Sequence, residues 1–138
     1  MSVRKKIWHW CSEIYPTILR KIYGVDLGKD VRVSYKARVE KNINPHGLHI
    51  GDRTWILGGA IVLAHDHCRN LKSDTYIGCD CVIGVNSIIL PGVHVGDQVV
   101  IGGGAVVTKD IPNNSIAVGN PAKVVKTGIK VHNGKIID

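Results

Sequence analysis

The sequence predicts an all-β solenoid, a coil of short strands in which each turn stacks on the next. Three observations lead there. From Ile77 to Val107 an aliphatic residue returns at every sixth position: Ile77, Ile83, Ile89, Val95, Ile101 and Val107. Glycine follows four of these anchors, at Gly78, Gly84, Gly96 and Gly102. Two residues before each anchor stands a small or β-branched side chain: Thr75, Cys81, Ser87, Val93, Val99 and Ala105. Neither a helix, repeating near 3.6 residues, nor a continuous alternating strand marks every sixth residue in this way. Repeats this short cannot bury their own apolar side and must stack on their neighbours.

Residues 1–24 read as helix. Ile7, Cys11, Ile14, Ile18 and Ile22 form one apolar stripe, flanked by Trp8, Tyr15 and Leu19, and Pro16 is expected to divide it in two. The favoured role is a cap over the open end of the solenoid. The other is a basic amphipathic contact with a membrane surface, using Arg4-Lys5-Lys6, Trp8 and Trp10.

Residues 25–118 carry the repeat. Anchor and small partner lie two apart and so share the inward face of an extended segment. Gly78-Cys79-Asp80, Gly84-Val85-Asn86, Gly96-Asp97 and Gly102-Gly103-Gly104 supply corners. Three sides and three corners take eighteen residues. The pattern continues backwards through Ile50-Gly51-Asp52, Ile56 and Val62, then Leu27-Gly28, Val33 and Val39, with Val31 and Ala37 as small partners. The register slips twice. Asn42–Leu48, with Pro45 and Gly47, is expected to bulge, and Ala64-His65-Asp66-His67-Cys68-Arg69-Asn70 interrupts the coil with the most polar stretch of the chain. Loops thrown out of a rigid scaffold are where function concentrates. In residues 119–138, Ile129–Ile137 reads as a hairpin around Asn133-Gly134.

Composition bounds the function. A chain of 138 residues without Phe forms one domain whose core comes from stacking. The four cysteines form no CxxC pair; Cys81 falls inward and Cys79 outward, so both read as packing, in a reducing cytoplasm. The net charge of +7 is dispersed and lacks interleaved aromatics, which argues against nucleic acid and for phosphate-bearing small molecules or an anionic membrane face. No secretion signal or bilayer-spanning run is expected.

His65 and His67 hold the side chain best suited to take a proton near neutral pH. Leu63-Ala64-His65-Asp66-His67, together with the tandem [LIV]-Gly-x-x-x-x hexads, resembles the hexapeptide-repeat acetyltransferases, including the galactoside, maltose and capsule-saccharide O-acetyltransferases. The resemblance covers about a hundred residues. It implies a left-handed parallel β-helix, a handedness opposite to the usual rule for parallel crossovers. It also implies a homotrimer with active sites between protomers, acetyl-CoA as co-substrate, no metal, and a histidine general base in this loop. His65, which precedes Asp66, is assigned that role, with His67 as the alternative.

Gly102–Pro112 and Val118–Lys126 resemble the family's acetyl-CoA segment. By that resemblance, Val85 and Gly103 lie along the pantetheine arm, and Thr108, Lys109, Lys123 and Lys126 meet the adenine and phosphates. Tyr35, Asn42, Asn44 and Asp66 are candidates for acceptor binding. The implied reaction is transfer of acetyl to a hydroxyl of a sugar or glycan precursor. Three other readings remain: a γ-class carbonic anhydrase-like zinc enzyme using His46, His49, His65, His67 or His94, an N-acetyltransferase on an amino-sugar nucleotide, and a non-catalytic structural solenoid.

Overall fold

The computed structural model describes residues 2–137. The chain opens with helix α1 (Val3–Ile18), whose first turn is capped by the Ser2 hydroxyl accepting from the Lys5 N–H at 3.3 Å. Contrary to the sequence expectation, α1 runs through Pro16 unbroken. The proline forfeits one backbone hydrogen bond, but its ring is buried between the helix and the coil, and that packing offsets the loss. One wider turn, Leu19–Tyr23, follows and stops at Gly24, whose φ of 76° is left-handed. The expected cap also differs in detail. Ile7 and Ile22, at the ends of the predicted stripe, are 57% and 73% exposed, whereas Leu19 and Val25 join the core and Tyr15 and Tyr23 pack on it. It is the last turn that covers the open end of the coil.

From Asp26 the chain visits three parallel walls in rotation. The first holds β1 (Asp26–Leu27), β4 (Leu48–Ile50), β9 (Thr75–Ile77) and β12 (His94–Val95). The second holds β2 (Arg32–Val33), β5 (Trp55–Ile56), β10 (Val82–Ile83), β13 (Val100–Ile101) and β15 (Ser115–Val118), with β16 (Lys123–Thr127) added antiparallel at its edge. The third holds β3 (Arg38–Val39), β6 (Ile61–Val62), β11 (Ile88–Ile89) and β14 (Val106–Val107). Two short hairpins stand outside the walls: β7 (His65–Asp66) with β8 (Leu71–Lys72), and β17 (Lys130–His132) with β18 (Lys135–Ile137).

Register explains the slips. Ile83 pairs with Ile101, eighteen residues on, the bare length of one coil. Val33 pairs with Ile56, twenty-three on, and Ile56 with Ile83, twenty-seven on. The five extra residues form the segment around a single turn of 3-10 helix, Pro45–Gly47; the nine extra include the β7–β8 hairpin. Both insertions leave the coil after the third wall, so they sit on the same edge.

Inside, the anchors stack as aliphatic columns: Leu27, Ile50, Ile77, Val95 and Ile111 in one, Val33, Ile56, Ile83 and Ile101 in the next, Val39, Val62, Ile89 and Val107 in the third, all buried. The small partners fill between them. Those carrying hydroxyls return a hydrogen bond to a nearby carbonyl: Thr54 to Gly78, Thr75 to Leu63, Ser87 to Gly84 and Ser115 to Asn113. The Cys81 thiol donates to the Gly96 carbonyl, and burial pushes its pKa up to about 12. It is a packing residue. Gly78 is required by close approach, since a Cβ there would lie 2.6 Å from the carbonyl oxygen of Gly96 in the next coil. No helix among the described residues is long and apolar enough to cross a membrane.

Ile83 sits at 0% exposure between Ile56 and Ile101. Its truncation, Ile83→Ala, removes buried methylenes from a column that cannot collapse without breaking two strand pairings. A loss of about 3 kcal/mol is expected in denaturant unfolding.

Candidate active site

The β7–β8 hairpin is held at its neck. The Ala64 carbonyl accepts from the Ser73 N–H (3.0 Å) and from Asn44 Nδ2 (2.8 Å), and the Leu63 carbonyl from the Thr75 hydroxyl (2.6 Å). With the neck fixed, the first residue of β7, His65, is directed back across the end of the third wall. There it meets Glu40, the residue after β3 in the coil below. His65 Nδ1 lies 2.5 Å from Glu40 Oε2. Glu40 is only 5% exposed, and its carboxylate also accepts from the backbone N–H groups of Ile43 (3.2 Å) and Ala64 (3.4 Å).

Burial alone raises the Glu40 pKa, but the hydrogen bonds from His65, Ile43 and Ala64 outweigh it and hold the carboxyl below its ordinary value. Glu40 is therefore an anion at neutral pH and can only accept. Nδ1 of His65 is therefore the donor in this bond, which leaves Nε2 as the ring nitrogen facing outward.

His65 stands on a ridge between two concavities. One, of about 340 Å³, is lined by Leu63, His65, Asp66, His67, Arg69, Leu90, Pro91 and Thr108. The other, of about 470 Å³, is lined by Arg38, Glu40, Lys41, Asn42, Ile61, Leu63 and His65. His67, at the hairpin tip, is exposed in the first cavity. Asp66 accepts from Arg69 through both its backbone N–H (3.1 Å) and its Nε (2.6 Å), which lowers the carboxyl pKa and closes the tip. Asn44 spends its amide on the Ala64 carbonyl and so shapes the neck, while Asn42 lines the second cavity.

The remaining sequence-predicted residues gather elsewhere. Counting from the paired anchors Val33, Ile56, Ile83 and Ile101, residues Tyr35, Gly58, Val85 and Gly103 occupy one corner column between the second and third walls. The Gly104 N–H donates to the Val85 carbonyl at 2.9 Å, and a Cβ on Gly103 would lie 3.3 Å from Val85 Cγ2. Tyr35 opens instead onto a groove with Trp8, Arg32 and Trp55, where the Arg32 guanidinium lies 5.1 Å over the Trp55 ring. Lys123 and Lys126 are exposed on β16, and Lys109 is exposed after Thr108. One chain therefore holds two separated sets, with the histidines, Asn42 and Thr108 at one corner and Tyr35, Val85 and Gly103 at another.

The histidines weighed as metal ligands are dispersed. His49 lies between Asp26 (2.8 Å) and Asp74 (3.2 Å) on the first wall, stacked on Tyr76, which meets His94 edge-on. Burial lowers the His49 pKa, but the two carboxylates prevail and raise it. Among the described residues no group of three or more His, Cys, Asp or Glu side chains is arranged to hold a metal ion.

The model of the bacterial transferase hexapeptide family (six repeats) matches residues 74–109. Protein CapG of Staphylococcus aureus is 42% identical over 130 residues, spanning 87% of this chain and 74% of CapG. The chain belongs to the hexapeptide-repeat transferases. It is an acyltransferase by family, and its solved neighbours agree. A maltose O-acetyltransferase from Clostridium difficile 630 is 29% identical with a TM-score of 0.64, covering 89% of this chain and 83% of that one. A galactoside acetyltransferase solved in complex with coenzyme A shares the fold at 23% identity and a TM-score of 0.61, covering 91% of this chain and 79% of that one.

Sequence reasoning missed Glu40. The available signal was an acidic residue directly after an anchor, at the position where Gly28, Gly51 and Gly78 follow theirs. Because the folded pKa of Glu40 is depressed, the stability it contributes is full above the ordinary glutamate value, near 4.3, and fades as pH falls through the lower folded value. Glu40→Gln is expected to cost about 1 kcal/mol at pH 7, the difference between a charged and a neutral acceptor. That gap to the wild type should close in unfolding measurements taken at progressively lower pH.

Proposed function

We propose that this chain is an acetyl-CoA-dependent O-acetyltransferase acting on a hydroxyl of a sugar or glycan precursor, with His65 as general base. The observation that carries the proposal is the pairing of buried Glu40 with half-buried His65 on the ridge between two cavities. A carboxylate behind Nδ1 fixes the tautomer and steadies the imidazolium that forms when Nε2 takes a proton. His67 has no such partner among the described residues and is read as a substrate-side group.

Nε2 of His65 takes the proton of the acceptor hydroxyl as its oxygen bonds to the thioester carbonyl carbon. Backbone N–H groups of a neighbouring coil receive the negative charge that develops on the carbonyl oxygen. As the carbon–sulfur bond breaks, His65 returns the proton to sulfur, leaving an acetyl ester, free coenzyme A and the enzyme in its starting state. No acyl-enzyme is needed, and the raised pKa of Cys81 keeps that thiol out of the reaction.

The cavity with Thr108 is read as the thioester side, and the cleft with Arg38, Lys41 and Asn42 as the acceptor side. Arg38 and Lys41 suit an acceptor bearing a carboxylate or phosphate. The exposed backbone at Gly103 and Val85 suits the amide-bearing arm of the coenzyme, and Lys109, Lys123 and Lys126 its phosphates. Since Val85 and Gly103 lie at the other corner from His65, we read the working form as a homotrimer of left-handed β-helices in which one protomer's corner column closes on its neighbour's histidine cavity. The coenzyme A complex of the galactoside acetyltransferase supports the choice of cofactor. We read catalysis as cytoplasmic, in keeping with cysteines that are all free among the described residues.

With acetyl-CoA, a panel of saccharide acceptors and thiol detection, His65→Ala should lower turnover at least about a hundredfold, and His67→Ala far less. Equal small losses in both would remove the base assignment. Co-expression of His65→Ala chains with Gly103→Trp chains tests the shared site. Mixed trimers should recover activity that neither variant shows alone, whereas a site within one chain gives no recovery.

A further inference from the structure

Helix α1 meets the coil along one side only. Ser12 and Pro16 line the cavity between the helix and Asp30–Arg32, and Pro16 and Leu19 are buried. Val3, Ile7 and Trp10 each stand nine residues before one of these three. That is about two and a half helical turns, so they project from the opposite side. They are 72%, 57% and 64% exposed. At spacings of four and three they form one continuous apolar ridge.

The charges around the ridge are basic but for one. Arg4 and Lys6 flank it, Lys5 lies beyond, and Lys21 continues the same side past the end of α1. Glu13 is the single acidic residue before Asp26, and it is held by His9 at 2.9 Å. Arg20, by contrast, is tied to the coil through the Leu27 and Gly28 carbonyls. An apolar ridge with an indole, bordered by lysine and arginine, fits the boundary between acyl chains and anionic headgroups.

We infer that α1 docks this protein on an anionic lipid surface, the ridge Val3–Ile7–Trp10 sunk among the acyl chains and the basic residues on the headgroups. A second copy of the helix is the poorer occupant, because parallel two-fold pairing brings Arg4 and Lys6 towards their own counterparts, and the one acid that antiparallel pairing could offer them, Glu13, is already held by His9. Docking is independent of the reaction proposed above and is read without substrate.

The test is flotation of the full chain with phosphatidylcholine vesicles, with and without phosphatidylglycerol. The wild type should float only with the anionic vesicles and be released by salt. Ile7→Asp with Trp10→Asp should abolish flotation, and Arg4→Gln with Lys6→Gln should lower the partition coefficient roughly thirtyfold, each with an unchanged circular dichroism spectrum. Three outcomes would overturn the inference: no flotation of the wild type with anionic vesicles, undiminished flotation of either variant, or a self-associated species that ignores vesicles and is dispersed by the Ile7 and Trp10 changes.

Discussion

Every two- or three-residue strand of the three walls is too short to stand alone, and each is held by pairing with the strand one coil away. Backbone bonds such as Val82 N–H to the Val99 carbonyl and Gly84 N–H to the Ile101 carbonyl, both 2.9 Å, repeat from coil to coil. Coils can be bonded this way only if they keep the same length, or if extra residues leave the stack entirely. The two insertions do the latter, both after the third wall. The segment at 42–47 and the β7–β8 hairpin are thus neighbours because the coil permits departure at that edge. The proximity of Glu40 to His65 follows from the same geometry, since Val39 and Val62 are register partners.

The Glu40–His65 pair gives that edge its chemistry. A buried carboxylate is costly unless its oxygens are occupied, and here three donors occupy them. The imidazole that supplies one of these bonds is consequently fixed in tautomer and direction. Orientation comes from the rigid coil beneath, while access comes from the two cavities on either side.

Much of this was legible in the sequence, for a physical reason. A stacked coil repeats its inward positions every six residues, so Ile77 to Val107 announce the columns, and the places where the count fails announce the insertions. The histidines were visible because they stand in such a place. Glu40 was not, because its partner is twenty-five residues away and only the stacking of Val39 on Val62 brings them together. Nor was the direction of α1. Periodicity marked an apolar stripe from Ile7 to Ile22 but could not say which side of the helix the coil would cover. Pro16, expected to break the helix, is instead part of its packed side. The division of the site residues between two corners also lay beyond a one-dimensional reading, which lists Val85 and Thr108 without showing that the third wall separates them.

The end of the chain returns to its middle. The Asn133 N–H donates to Asp80 at 3.1 Å, Trp55 Nε1 donates to the Asn133 side chain at 3.3 Å, and Asp80 also takes the Arg53 guanidinium at 2.8 Å. The β17–β18 hairpin is a clasp fastened across the corner of coils laid down between 53 and 78 residues earlier. During synthesis those coils can stack as they leave the ribosome, but the clasp closes only after Asn133 has followed them out. A chain cut short before Asn133 leaves Asp80 without one of its donors and the Trp55 indole N–H without its acceptor.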